Sequence, residues 1–170
     1  MGAFLHDTLP GARLVTQTRA FEILLAEDYA PDVELVRSAL EEQHFEYALH
    51  VVRDGAKAIA YLENLDDDRR EPPLDLVLLD MHLPKHDGED ILKRLRSTER
   101  YAQTPVVVMT ASDSPLDHER AQKHAALYYF RKPSDLTEFM QLGQIVRKIL
   151  LDQKPGVSTS AGDSDVVSSH

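Results

Sequence analysis

The stretch LVLLDMHLPKHDG, residues 76–88, decides how the rest of the chain is read. Four aliphatic residues run straight into a carboxylate, Asp80, and the chain then breaks through Pro84 into Asp87-Gly88. A short apolar run bounded by turn residues is the pattern of a strand buried on both faces. A strand that has merely reached the surface would also end this way, and a lone strand-end aspartate is most often a turn or helix cap. Asp80 is therefore judged by the residues that accompany it.

Outward from this segment, apolar runs and helical patterns take turns. FEILLAED (21–28) is a buried-strand run ending in acids, and Ala30-Pro31-Asp32 opens a helix, with proline in the first turn where its missing N–H costs nothing. Val33, Val36 and Leu40 mark that helix's inward face. YALHVV (47–52) is a second strand, which Asp54-Gly55 turns into a helix bearing Ala58, Ile59 and Leu62. NLDDDRREPP (64–73) is a polar, proline-terminated loop, and LDLVLLD (74–80) is the third strand, followed by a helix marked by Ile91, Leu92 and Leu95. PVVVMTASD (105–113) is the fourth strand, a helix follows Ser114-Pro115, and LYYFRK (127–132) is the fifth. A final amphipathic helix runs from Asp135 to about Leu151, its apolar stripe made by Phe139, Leu142, Ile145, Val146 and Ile149. Five strands alternating with five helices predict an α/β fold whose parallel sheet is covered on both faces. The expected division is an irregular arm over 1–20, the domain over 21–151, and a mobile Ser/Gly/Asp-rich tail over 152–170.

Composition narrows the function. The 170 residues carry 29 acids against 19 Lys and Arg, a formal charge of −10, and no cysteine. An acidic surface repels phosphate backbones, so nucleic-acid binding is not expected without a basic patch, and the chain shows none. Disulfides, thiolate metal sites and a cysteine nucleophile are excluded. No apolar run approaches a membrane span, and the N-terminal MGAFLHD matches neither a signal pattern nor the myristoylation pattern, where His6 replaces Ser or Thr. The expectation is a soluble cytoplasmic protein without membrane attachment.

Open parallel sheets place their chemistry beyond the carboxyl ends of the strands. Those ends read Glu27-Asp28, Asp80, Thr110 and Lys132-Pro133, while the second strand ends in Arg53-Asp54-Gly55. Singly, each has a bland explanation. Together they bring three carboxylates, a hydroxyl and a lysine to one edge. Three carboxylates in a partly dry crevice repel one another, and a hard divalent cation, Mg²⁺ by its preference for oxygen ligands and retained waters, resolves the conflict.

These residues resemble the receiver domains of two-component response regulators. ILLAED matches the acidic pair closing the first strand, LVLLDMHLPKHDG the phosphoacceptor segment, VVVMTAS the switch-threonine segment, and YYFRKP the lysine-proline segment. The intervals from Asp80 to Thr110 and from Thr110 to Lys132 are those of a receiver. A narrower likeness, to small stand-alone receivers paired with phytochrome-type histidine kinases, is carried by EDYAPDVELVRSALEE, the lengthened loop before the third strand, and DLTEFMQLGQIV.

The resemblance implies a flavodoxin-like sheet of strand order 2-1-3-4-5. It implies that Asp80 accepts a phosphoryl group from a sensor histidine kinase. Glu27, Asp28, Asp80 and the backbone carbonyl of His82 would hold Mg²⁺, and Lys132 would pair with the phosphoryl oxygens. Thr110 and Tyr129 would be the switch residues, Tyr129 swinging inward as Thr110 moves. Pro133 resembles the family's cis-proline. The output face would be the fourth helix, fifth strand and fifth helix, acting through a homodimer or a separate partner, since no helix-turn-helix with a basic face follows the receiver. Leu127, Tyr128 and Phe130 could supply apolar surface there. The protein would not be an enzyme, beyond catalysing its own phosphorylation and dephosphorylation.

Three residues depart from the family pattern. Glu27 replaces the commoner aspartate, Tyr29 is bulky and could cover the site, and His82 stands where family members tune the hydrolytic water. The remaining histidines read as bland, and Pro84 between His82 and His86 excludes a regular helical zinc pair. A phosphatase of the haloacid dehalogenase type would want a second aspartate two residues after Asp80, where His82 stands. A phosphorelay carrier and an unphosphorylated receiver-shaped binding module stay open as alternatives.

Overall fold

The computed structural model describes residues 19–153. The arm expected over 1–20 and the tail expected over 152–170 lie outside that range, apart from the two residues of each that border the domain. Strands β1 (Phe21–Ala26), β2 (Tyr47–Val52), β3 (Leu76–Asp80), β4 (Val106–Thr110) and β5 (Tyr128–Arg131) alternate with helices α1 (Ala30–Glu41), α2 (Gly55–Asp67), α3 (Gly88–Ser97), α4 (Pro115–Lys123) and α5 (Leu136–Asp152). All pairings are parallel, in the order β2-β1-β3-β4-β5. The expected doubly wound fold is present.

The unbroken apolar runs of β1, β3 and β4 have a simple cause: each face of the sheet has its own core. Alternate residues Leu24, Val77, Leu79, Val106 and Val108 pack under Leu62 of α2, Leu92 and Leu95 of α3, and Ala121 of α4. Their neighbours Ile23, Leu25, Leu76, Leu78 and Val107 pack under Val36 and Leu40 of α1 and Phe139, Leu142 and Val146 of α5. Both faces are dry, so period-2 alternation vanishes. On α5 the buried stripe passes through Gly143 and Leu150, while Ile145 and Ile149 are only partly buried and line a cleft beside β5.

Two boundaries differ from the sequence reading, each for a local reason. The loop expected over 64–73 begins later, because α2 runs on to Asp67. The Arg100 guanidinium satisfies the carbonyls of Leu65, Asp68 and Glu71 where the helix ends. Strand β1 stops at Ala26, leaving Glu27 and Asp28 in the turn that enters α1. Pro31 stands in that helix's first turn, as expected.

Among the described residues no helix is long and apolar enough to cross a membrane.

Candidate functional site

The topology puts β1 and β3 side by side at the reversal of strand order, so the acidic turn after β1 faces the end of β3. Glu27, Asp28 and Asp80 can bring carboxylate oxygens within 4.8 Å of one another. Glu27 is fully buried, Asp80 is 7% exposed, and Asp28 opens to solvent.

Lys132 offsets part of the cluster's charge. Its ammonium donates to Glu27 Oε2 at 2.5 Å, Asp80 Oδ2 at 2.9 Å and Asp32 Oδ2 at 2.8 Å. Burial works against the lysine's charge, but Asp32, Glu27 and Asp80 outweigh it and hold the ammonium above the ordinary lysine value. Glu27 goes the other way. Loss of water around its carboxyl, opposed by the Lys132 hydrogen bond and assisted by the Asp80 charge, pushes it up to about 7.

Asp80 is fixed at both oxygens, since Oδ1 accepts from the His82 N–H at 2.9 Å while Oδ2 faces Lys132. The turn that follows is held from the β2 side. Gly55 N–H donates to the Pro84 carbonyl at 3.0 Å, and Lys85 Nζ donates to Asp54 Oδ2 at 3.0 Å. A Cβ on Gly55 would collide with the His86 carbonyl oxygen, so only glycine lets the two loops meet. Arg53-Asp54-Gly55, the strand end that carried no site chemistry in the sequence, thus buttresses the loop of Asp80.

Thr110 ends β4 beside Asp80, buried, with its hydroxyl accepting from the Ser112 N–H at 3.1 Å. Lys132 N–H donates to the Thr110 carbonyl at 2.8 Å, continuing the β5 ladder one residue beyond the strand. Tyr129 is half-buried. Its hydroxyl donates to the Ser112 carbonyl at 3.3 Å and its ring stacks on His118 at 3.6 Å.

The expected cis bond at Pro133 is corrected: the described residues contain no cis peptide bond. Lys132 reaches Glu27, Asp32 and Asp80 along a trans backbone, the form ordinarily favoured before proline. Tyr29 is the N-cap residue of α1 and is exposed to solvent, and its N–H donates to Glu27 Oε1 at 3.1 Å. Phe130 is core, stacked edge-on against Phe139, whereas Leu127 and Tyr128 are exposed.

Two functional-site residues escaped the sequence reading. Asp32 sits in the first turn of α1, where an acid is the ordinary choice at a helix N-terminus. Asp117 does the same in α4 and receives the His82 ring at 2.8 Å. Neither position carried a sequence signal, because each acid's partner lies on a distant element.

An oxygen-only carboxylate cluster, a buried lysine and a strand-end hydroxyl at the switch point of a 2-1-3-4-5 sheet define a receiver-type α/β module. The chain belongs to the response regulator receiver domain family, whose model matches residues 23–144. Response regulator Rcp1 of Synechocystis sp. is 30% identical over 130 residues, 76% of this chain and 88% of that protein. The probable methanogenesis regulatory protein FilR2 of Methanothrix harundinacea is 33% identical, with 80% and 88% covered. The crystal structure of the phosphorylated cyanobacterial phytochrome response regulator RcpA matches with a TM-score of 0.71 at 29% identity, covering 79% of this chain and 96% of that one. The Mn²⁺-bound form of Rcp1 matches with a TM-score of 0.69 at 29% identity over the same shares, 79% and 96%.

Proposed function

We propose that Asp80 accepts a phosphoryl group from a histidine of a sensor kinase, and that the acyl phosphate switches the face formed by α4, β5 and α5. The observation that carries this is the Lys132 ammonium, 2.9 Å from Asp80 Oδ2 at the rim of the carboxylate cluster. Phosphoryl transfer asks a protein chiefly for in-line positioning and charge neutralisation. The backbone N–H of His82 and the ammonium of Lys132 orient the Asp80 carboxylate. One of its oxygens attacks phosphorus, the P–N bond of the phosphohistidine breaks, and its electron pair stays with the departing imidazole. Lys132 then pairs with the phosphoryl oxygens as a point charge.

The donor set fits a hard cation: three carboxylates, no nitrogen or sulfur, and one acid left open to solvent. Glu27, Asp28 and Asp80, with the backbone carbonyl of His82, would hold Mg²⁺, which supplies positive charge to the phosphoryl oxygens when bound. The existence of an Mn²⁺-bound form of Rcp1 supports the same reading. Thr110 would turn its hydroxyl from Ser112 to the phosphoryl group, with Tyr129 following. The likeness to the cyanobacterial phytochrome response regulator RcpA supports a phytochrome-type kinase as donor.

The test is incubation of wild type and Asp80→Asn with Mg²⁺ and acetyl phosphate, read by intact mass. Wild type gains one phosphoryl group and Asp80→Asn gains none. An adduct on both, or on neither, overturns the assignment. Sizing with beryllofluoride reads the output, with a dimer expected only for the loaded wild type.

A further inference from the structure

Helix α4 is weakly anchored by apolar packing. Its buried residues are Ala121 and, unusually, the carboxylate-bearing Asp117. A helix with so little apolar burial is placed by its polar contacts and is easily displaced. Two of these contacts sit on consecutive residues of its first turn and point in different directions. Asp117 Oδ2 accepts from His82 Nε2 at 2.8 Å, and the His118 ring lies on the Tyr129 ring at 3.6 Å with a 22° tilt.

The first link is more than a surface ion pair. The Asp117 side chain is 4% exposed, whereas that of His82 is 60% exposed. A buried carboxylate is costly without a hydrogen-bond partner, so Asp117 fixes where the His82 ring goes. His82 in turn is anchored to the phosphoacceptor, its N–H donating to Asp80 Oδ1. Asp117 also lies near Tyr129: burial first, then the charges of Asp117 and Asp113, raise the tyrosine phenol above its ordinary value. One helical turn therefore touches both the loop that carries Asp80 and the aromatic ring of β5.

We propose that Asp117 and His118 are positioning residues that couple the phosphoacceptor loop to Tyr129 through α4. When the acceptor is loaded and the His82 backbone shifts, the His82–Asp117 link carries the displacement to the α4 turn. His118 passes it to the Tyr129 ring. This route adds to the Thr110 movement and rests on the phosphoacceptor reading of Asp80.

The experiment loads the full chain with Mg²⁺ and beryllofluoride. It reads the bound fluorine signal by ¹⁹F NMR and the Tyr129 ring signals, assigned with Tyr129→Phe, by ¹³C-tyrosine NMR. In wild type, loading shifts the ring signals. In His82→Ala and in Asp117→Asn that shift falls to about half or less, and the double variant loses no more than either single one, because one contact is removed only once. His118→Ala moves the Tyr129 signals in the unloaded protein and reduces their response to loading. Full-sized shifts in both single variants, with the bound fluorine signal present, overturn the coupling. The largely exposed ring of His82 makes His82→Ala informative even if Asp117→Asn fails to fold. An absent fluorine signal in wild type sinks the phosphoacceptor reading itself, and this proposal with it.

Discussion

Asp32 accepts a hydrogen bond from the Lys132 ammonium across 2.8 Å, tying the first turn of α1 to the residue that follows β5. The other two partners of that ammonium, Glu27 and Asp80, are proposed cation ligands. A bound cation would therefore compete with the lysine for the same oxygens, and Asp32 would be the carboxylate left to keep Lys132 in the crevice.

Asp32→Asn is accordingly expected to weaken Mg²⁺ binding by about three- to tenfold. It removes a negative charge and leaves Lys132 competing harder for Glu27 and Asp80, an effect on the order of 1 kcal/mol at a partly hydrated site. Lys132→Met has the opposite sign for the metal: Mg²⁺ binds more tightly, while phosphoryl uptake from acetyl phosphate falls sharply. A Mg²⁺ titration followed by amide NMR checks both. Unchanged affinity in Asp32→Asn would show that Asp32 serves only to staple α1.

Gly143 is the point where α5 meets α1. A Cβ there would collide with the Ala39 carbonyl oxygen, which is backbone and cannot swing aside. Gly143→Ala gains helix propensity but must push two packed helices apart, and overpacking costs more than propensity returns. The expected net loss is about 1–2 kcal/mol, read as a lower urea midpoint with an unchanged slope. Gain of stability would mean the helices separate freely.

Arg96 organises the opposite end of the sheet. Its guanidinium donates to the carbonyls of His124 at 2.9 Å, Thr104 at 2.9 Å, Ala102 at 3.1 Å and Ala125 at 3.1 Å. It thereby ties the loops before β4 and before β5 to the end of α3. Arg96→Ala is expected to destabilise by about 2–3 kcal/mol, because several carbonyls lose a charged donor at once. Arg96→Lys recovers less than half of that, since an ammonium cannot span the same set. Denaturant melts of the two variants check the order.

The fold was legible because the chemistry and the packing agree along the chain. LVLLD and VVVMT are apolar throughout since helices cover both sides, and their polar last residues fall at the one edge the helices leave open. That edge rule located Glu27, Asp28, Asp80, Thr110 and Lys132 without coordinates. Asp32 and Asp117 were not legible: an acid in a first helical turn is explained by the helix dipole alone. The true partner of Asp117, His82, lies 35 positions away in sequence. The trans bond at Pro133 was likewise beyond the sequence, because both isomers suit the same residues. Arg96 escaped for a related reason, since its partners are all backbone carbonyls, which no residue type announces.

The outer side of β5 exposes apolar surface. Leu127 is 58% and Tyr128 44% exposed, and with Ile145 and Ile149 of α5 they line a cleft of about 580 Å³. Lys148 and Asp152, of opposite charge, flank the same cleft. In a twofold dimer each side presents the same patch, so every substitution enters the interface twice. Leu127→Glu would place two carboxylates against apolar surface, losing two leucine burials worth on the order of 3 kcal/mol together, about a hundredfold in dimer affinity. The expected result is a beryllofluoride-loaded protein that takes up the adduct as wild type does but elutes as a monomer. A loaded Leu127→Glu protein that still dimerises would place the interface elsewhere and leave the β5–α5 cleft for a different partner.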